Sequence, residues 1–168
     1  MNSLMQEIKI VKLPASKWKE YRKLRLEGLQ KDPIAFGSSF EEEKMLSEEE
    51  WKRRCKNTIF AVSQDKVVGM IIYNFQQRKK LQHIANMYGA YVSSAFRKQG
   101  VGRKLLEAAL VEILKNKKIV KISLGVMKEQ KAAIALYKKY GFKVVGDFKK
   151  DLKVKNKYYD HLVMEKLL

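Results

Sequence analysis

Hydrophobic positions along this chain switch repeatedly between the alternation of a strand and the three-to-four spacing of a helix. Ile8 to Leu13 has the apolar content of a first strand, stopped by Pro14, and Ser16 is placed to cap the helix that follows. In that helix Trp18, Tyr21 and Leu24 share a face, and Pro33 disfavours helical geometry at Asp32, so it ends near Gln30. A polar, flexible connection runs from Asp32 to Lys44. Ser47-Glu48-Glu49-Glu50 has the form of a capping box, with Leu46 and Trp51 spaced as a hydrophobic staple, which starts a short helix reaching about Lys56. Thr58 to Val62 and Val67 to Tyr73 then read as two strands of a hairpin turning at Gln64-Asp65.

After a polar turn at Gln76 to Lys80, His83 to Val92 reads as a central strand. Gly89 inside it predicts a bulge or a close backbone approach. From Gly102 to Lys115 an amphipathic helix places Leu105, Ala109 and Ile113 on one side, with Arg103, Lys104, Glu107 and Glu112 elsewhere. Val120 to Val126 is a strand rich in β-branched residues. A helix containing Ala133, Leu136, Tyr137 and Tyr140 follows, capped by Gly141. Lys143 to Leu152 and Tyr158 to Leu167 form a closing hairpin around a basic turn, Lys153 to Lys157. No repeat, linker or low-complexity tract interrupts this order, so residues 1–168 read as one α/β domain.

The order converges on Arg97-Lys98-Gln99-Gly100-Val101-Gly102, between the central strand and the best amphipathic helix. A helix N-terminus presents backbone N–H groups without intrahelical partners, and glycine removes the Cβ atoms that would hold a phosphate away from them. Arg97 and Lys98 add positive charge at the mouth, and the helix dipole favours the same sign of ligand. The stretch reads as an anion cradle, although paired glycines also mark turns and close packing. It lacks the Gly-Lys-Ser/Thr ending of a Walker loop and the third glycine of the dinucleotide fingerprint.

Here the sequence resembles the GNAT superfamily of acetyl-CoA-dependent N-acetyltransferases. Arg97, Gly100 and Gly102 match its Arg/Gln-x-x-Gly-x-Gly/Ala pyrophosphate signature, preceded by a strand ending in Ala90-Tyr91-Val92. Ala133 to Phe142 looks like its second landmark, a helix carrying Leu-Tyr and ending in Gly-Phe, and Tyr158 to Met164 is similar to its last strand. These matches cover roughly residues 80 to 168. The resemblance implies a GNAT-like mixed, mostly antiparallel sheet of six to seven strands, with helices on both faces and a splayed central strand pair that forms the acyl-CoA cleft.

It also implies an N-acetyltransferase moving an acetyl group from acetyl-CoA to a primary amine by direct attack in a ternary complex, without a metal. The residues matching Ala90, Tyr91 and Val92 meet the acyl and pantetheine arms. Arg97, Lys98, Gln99, Gly100, Val101, Gly102 and Arg103 meet the pyrophosphate, and Gln130 stands where relatives carry asparagine on the cofactor side. Lys139 is a weaker candidate for a terminal phosphate. Tyr137 corresponds to the family's usual general acid, which protonates the departing thiolate; from spacing alone it reads as an apolar helix residue, as Tyr140 does.

The departures are informative. Ser93-Ser94 stands where relatives commonly have Asp-Pro, and no Asp or Glu lies between Leu81 and Phe96, so the strand carboxylate that some relatives use as a base is absent. A lysine-like amine, with a pKa of about 10.4, is rarely deprotonated at neutral pH and needs help losing its proton. His83, or Glu41 through water, is the remaining candidate. Glu41 also begins an acidic run, Glu41 to Glu43, that could attract an amine as a substrate lip or serve as a solvated face.

Composition adjusts this picture only slightly. With 46% hydrophobic residues the chain can build a real core, and Cys55, the only cysteine, excludes an internal disulfide and reads as packing. Charges within Met1 to Lys12 argue against a signal peptide, and no apolar run is long enough to span a membrane, so a cytoplasmic protein is expected. The formal charge of +18 suits a polyanionic partner, with acetyl-CoA, nucleic acid or a ribosome all compatible. The competing readings are therefore a basic nucleic-acid or ribosome-binding protein and a CoA-binding module without turnover. A small-molecule or peptide amine is the expected acceptor, and the resemblance admits a homodimer.

Overall fold

The computed structural model describes residues 7–168, so the first half of the stretch weighed against a signal peptide lies outside the described residues. The elements are β1 (Lys9–Val11), α1 (Trp18–Lys31), α2 (Phe40–Glu43), α3 (Glu48–Cys55), β2 (Thr58–Ser63), β3 (Lys66–Phe75), β4 (Ile84–Val92), α4 (Val101–Leu114), β5 (Lys121–Met127), α5 (Lys131–Lys139), β6 (Lys143–Val154) and β7 (Lys157–Leu167). The strands form one open sheet in the order β1-β2-β3-β4-β5-β7-β6. Only β4 and β5 run parallel; every other pair is antiparallel.

Strand alternation sends side chains to two cores. On one face Leu105, Ala109 and Ile113 of α4 and Ile134 and Tyr137 of α5 pack over Ile71, Met87, Ile122 and Leu124. On the other, Tyr21, Leu24 and Leu29 of α1 and Trp51 and Cys55 of α3 cover Phe60, Met70 and Tyr91. Tyr21 meets Trp51 and Phe60 edge-on, with centroids 5.4 and 5.3 Å apart, a geometry that suits the ring quadrupoles. Burial of each such side chain is worth about 1.5–3 kcal/mol, so this aromatic cluster fixes α1 and α3 to the sheet.

The centre of the sheet is pulled open by one residue. Met70 pairs with Tyr91 but Ile72 pairs with Tyr88, so β4 uses three residues where β3 uses two. The extra residue lies beside Gly89, whose φ of 61° is the left-handed conformation that glycine adopts without strain. The parallel ladder from Ile84↔Lys121 ends at Met87↔Leu124, just before this bulge. Beyond it Gly125 to Met127 pair with β7 alone, leaving the facing edges of β4 and β5 apart.

Several local expectations change. Ser16 does not cap α1: a 3-10 turn over Ala15–Lys17 intervenes, and Lys17 occupies the cap position without a side-chain bond. The reciprocal capping box lies at Ser39 and Glu42 rather than at Ser47. Ser47 accepts from the Glu50 N–H, but the Glu50 carboxylate turns instead to Arg53 and Arg54, which hold its pKa down at about 2. The connection from Asp32 to Lys44 is ordered by burial. Phe36 is enclosed, and Glu43 receives Arg25 Nε and Nη2 at 2.8 and 2.7 Å. The basic turn of the last hairpin shrinks to Lys155-Asn156, because both strands extend further than their apolar content suggests.

Candidate active site

Two clefts open on either side of the splayed strands. The first, of about 700 Å³, lies on the α4–α5 side and is lined by Ala90 to Val92, the loop residues Arg97, Lys98 and Gly100 to Arg103, and Gln130 and Tyr137. The second, of about 650 Å³, lies on the α1–α3 side and includes Arg25, Tyr88, Gly89, Gly125, Asp151 and His161. Ile34 and Gln130 line both. A molecule threading the gap between β4 and β5 therefore meets a different chemical environment at each end.

On the first side the decisive groups are main-chain. Lys98 and Gly100 have left-handed backbones, with φ of 61° and 76°, and Gly100 occupies the cap position of α4 without any side-chain capping bond. As a result the six consecutive N–H groups of residues 98–103 make no hydrogen bond among the described residues. Six unpartnered donors at a helix N-terminus form a site for a multiply charged anion. Packing does not explain Gly102, since a Cβ there meets only Leu136 Cδ2 at 4.0 Å. What the missing Cβ preserves is space over the amides.

Side chains of the same loop mostly hold its shape. Arg97 Nε donates to the Val92 carbonyl at 2.8 Å, its guanidinium lies 5.4 Å from the Tyr91 ring centre, and Gln99 Nε2 donates to the Ala95 carbonyl. Tyr91 itself donates to Glu27 Oε1 at 3.0 Å, and Ser93 Oγ donates to the same oxygen at 2.9 Å. Glu27 thus ties the strand end to α1, and Ser93-Ser94 fills the turn without the usual Asp-Pro. Burial, reinforced by Glu27, pushes the Tyr91 phenol up to about 12. Gln130 Oε1 accepts from the Met127 N–H at 3.0 Å and so joins β5 to α5, while its Nε2 has no partner among the described residues.

Tyr137 is positioned by the way α5 ends. Gly141, with φ of 87°, lets the Phe142 N–H reach the Tyr137 carbonyl at 3.1 Å and the Gly141 N–H reach the Lys138 carbonyl at 3.0 Å, the two bonds of a Schellman motif. Phe142 then packs edge-on against the Tyr137 ring at 6.0 Å. Burial pushes the Tyr137 phenol up to about 12, so it stays protonated at neutral pH and can donate. Tyr140, one helical turn on, is different: its hydroxyl is occupied by Glu107.

The remaining candidates lie elsewhere. His83 is exposed at the start of β4, about 20 Å of extended chain from Gly89, and lines neither cleft. The ladder that places Gly89 at the splay sends His83 to the opposite end. Glu41 is 73% exposed, pairs with Lys44 and lines neither cleft; the acid of that run facing the second cleft is Glu43. Lys139 is exposed and lines neither cleft, and Cys55 is a buried packing residue of α3 whose thiol is pushed up by burial. Sequence reasoning missed Glu27, Arg25, Asp151 and His161. All four lay inside predicted elements, and His161 in the stretch similar to the family's last strand, but none was singled out as a site residue.

Comparison with known proteins agrees with this architecture. The family model described as Acetyltransferase (GNAT) family matches residues 19–142. The L-amino acid N-acetyltransferase AaaT of Escherichia coli (strain K12) is 32% identical over 102 residues, which cover 60% of this chain and 62% of that protein. A GNAT-family acetyltransferase structure from Streptococcus pneumoniae superposes with a TM-score of 0.85 at 23% identity, covering 96% of this chain and all of the other. An acetyltransferase of Salmonella typhimurium solved with acetyl-CoA superposes at 0.82 and 14% identity, covering 96% and 94%. These two likenesses establish the fold. The family match spans most of the chain, including the bulged strand and the amide loop: the chain belongs to the GNAT acetyltransferase family.

Proposed function

We propose that this protein transfers an acetyl group from acetyl-CoA to a primary amine by direct attack within a ternary complex. The observation that carries the reading is the row of six unpartnered amides, residues 98–103, at the mouth of a cleft that also contains Tyr137. They suit a diphosphate, and the free edge of β4 at Ala90 to Val92 suits the pantetheine amides and the thioester. The amine enters from the α1–α3 side and meets the carbonyl in the gap. Tyr137, kept neutral by its burial, protonates the departing sulfur.

The relative named for L-amino acids makes these the first acceptor class to examine. Release of the CoA thiol should be followed with L-amino acids, spermidine, kanamycin and a peptide with a free N-terminus, in parallel with the Tyr137→Phe variant. Turnover with at least one amine, strongly reduced in the variant, is expected. Undiminished turnover in the variant overturns the assignment of Tyr137; no turnover with any amine, together with undetectable acetyl-CoA binding, overturns the reading as a whole.

A further inference from the structure

On the acceptor side of the gap one pair of side chains has the chemistry that the donor side lacks. His161 Nδ1 lies 2.9 Å from Asp151 Oδ2, bringing together neighbouring strands β7 and β6. A carboxylate can only accept a hydrogen bond, so in the neutral ring Nδ1 carries the proton and Nε2 keeps its lone pair. Nε2 makes no hydrogen bond among the described residues. It sits over Gly125: an ideal Cβ on that glycine would be 2.1 Å from Nε2, so only glycine at this position lets the ring lie where it does.

Gly125 is the first residue of β5 beyond the parallel ladder with β4. The imidazole is therefore placed at the opening of the strands, on the face opposite the α4–α5 core, and 24% of its side chain remains accessible from the second cleft. We propose that His161 is the general base of the transfer and that Asp151 is its positioning residue. This rests on the acetyltransfer reading above. The acceptor ammonium first gives one proton through His161 Nε2 to solvent; the N–C bond then forms as the C–S bond of the thioester breaks, the second amine proton passes to His161 Nε2, and the Tyr137 hydroxyl proton passes to sulfur. Solvent then returns both residues to their starting protonation states, with amide and CoA thiol as products.

Other charged groups share the cleft, namely Arg25, Glu43, Glu50, Arg53 and Arg54, with the Tyr88 phenol beside the bulge. Both glutamates are already engaged by arginines, Glu43 with Arg25 and Arg54, and Glu50 with Arg53 and Arg54. Asp151 and His161 are the titratable pair in the cleft without an arginine partner.

The test combines kinetics with a direct view of the ring. The best amine from the acceptor screen is assayed from acid to alkaline pH with wild type, His161→Gln, Asp151→Asn and Gly125→Ala. His161→Gln is expected to lose about a hundredfold in kcat/KM near neutrality. It should recover with rising pH as the amine loses its own proton. Gly125→Ala should lose activity similarly, because its Cβ displaces the ring while the imidazole remains present. Long-range nitrogen-proton NMR reads the tautomer without any substrate, and with two histidines in the chain the His161→Gln spectrum assigns the signal. The Nδ1–H form is expected in wild type and should lose its dominance in Asp151→Asn. A wild-type Nε2–H tautomer, or an unchanged pH profile in His161→Gln with wild type active, overturns the dyad alone. A wild type inactive toward every amine overturns this proposal, and with undetectable acetyl-CoA binding as well it overturns the acetyltransfer reading on which the proposal rests.

Discussion

The two sides of the splayed strands are built on different principles. The cleft proposed for the acetyl donor is made of consecutive main-chain groups: six amides between residues 98 and 103, then the free edge of β4. The acceptor side is made of side chains drawn from α1, α2, α3, β6 and β7, far apart in sequence. A backbone site is set by local conformation, so glycine placement encodes it and a short motif reveals it. A side-chain site depends on the register of distant strands, and it can diverge while the fold stays constant.

The largest effect that sharpens this contrast is at the boundary. Tyr137→Phe should reduce turnover by about 10²- to 10⁴-fold while leaving acetyl-CoA affinity within roughly twofold, because in the proposed mechanism the hydroxyl serves proton transfer, and the ring keeps its packing on Phe142. Rapid-mixing kinetics and calorimetry separate the two quantities.

Next comes the buried pair that supports the acceptor side. Arg25 and Glu43 are 5% and 3% exposed, and the Arg25 guanidinium lies 4.3 Å from the centre of the Phe36 ring. Its Nη1, without a hydrogen-bond partner among the described residues, lies 2.8 Å from where a Cβ on Gly89 would stand. Glu43→Gln leaves a buried guanidinium uncompensated and should cost about 3–5 kcal/mol in urea unfolding. Burial pushes the Glu43 carboxyl up, but Arg25, Ser38 and Arg54 outweigh it, so its folded pKa lies below the usual 4.5. The sign follows directly: this stabilisation is complete above pH 4.5 and is lost as pH falls through the depressed value. The gap in stability between wild type and Glu43→Gln should therefore narrow on acidification below 4.5.

A smaller effect tests the donor side. Gly102→Val should weaken acetyl-CoA binding by about 1.5–3 kcal/mol, the worth of a charge-assisted hydrogen bond, without lowering the melting temperature, since its Cβ meets only Leu136 at 4.0 Å. Calorimetric titration and thermal unfolding of the same sample give both numbers. Smallest of all, Glu41→Gln should change kcat/KM by less than about twofold, because an exposed residue paired with Lys44 contributes little. A large loss there would return the acidic run to the acceptor site.

The same contrast explains what could be read from the sequence. The hydrophobic pattern located α4, β5, α5 and the β6–β7 hairpin, and Gly89 marked the bulge, because these features are written in neighbouring residues. Helix ends were less legible: Ser16 and Ser47 have capping composition, but the first precedes a 3-10 turn and the second loses its reciprocal partner to Arg53 and Arg54. The connection from Asp32 to Lys44 looked polar because the partner of Glu43 lies eighteen residues upstream on α1. His161 drew no notice as a base because its partner is ten residues away and its neighbour Gly125 is on another strand. His83, which did draw notice, fell at the wrong end of β4. A distance of a few residues along a strand separates surface from site.

The central claim is that the unpartnered amides of residues 98–103 receive the diphosphate of acetyl-CoA. Amide-resolved nitrogen-proton NMR during titration with acetyl-CoA tests it most directly. Saturable shifts concentrated on Lys98 to Arg103 and on Ala90 to Val92 are predicted. Shifts confined to the lysines of the β6–β7 hairpin, with the loop amides unmoved, would contradict it.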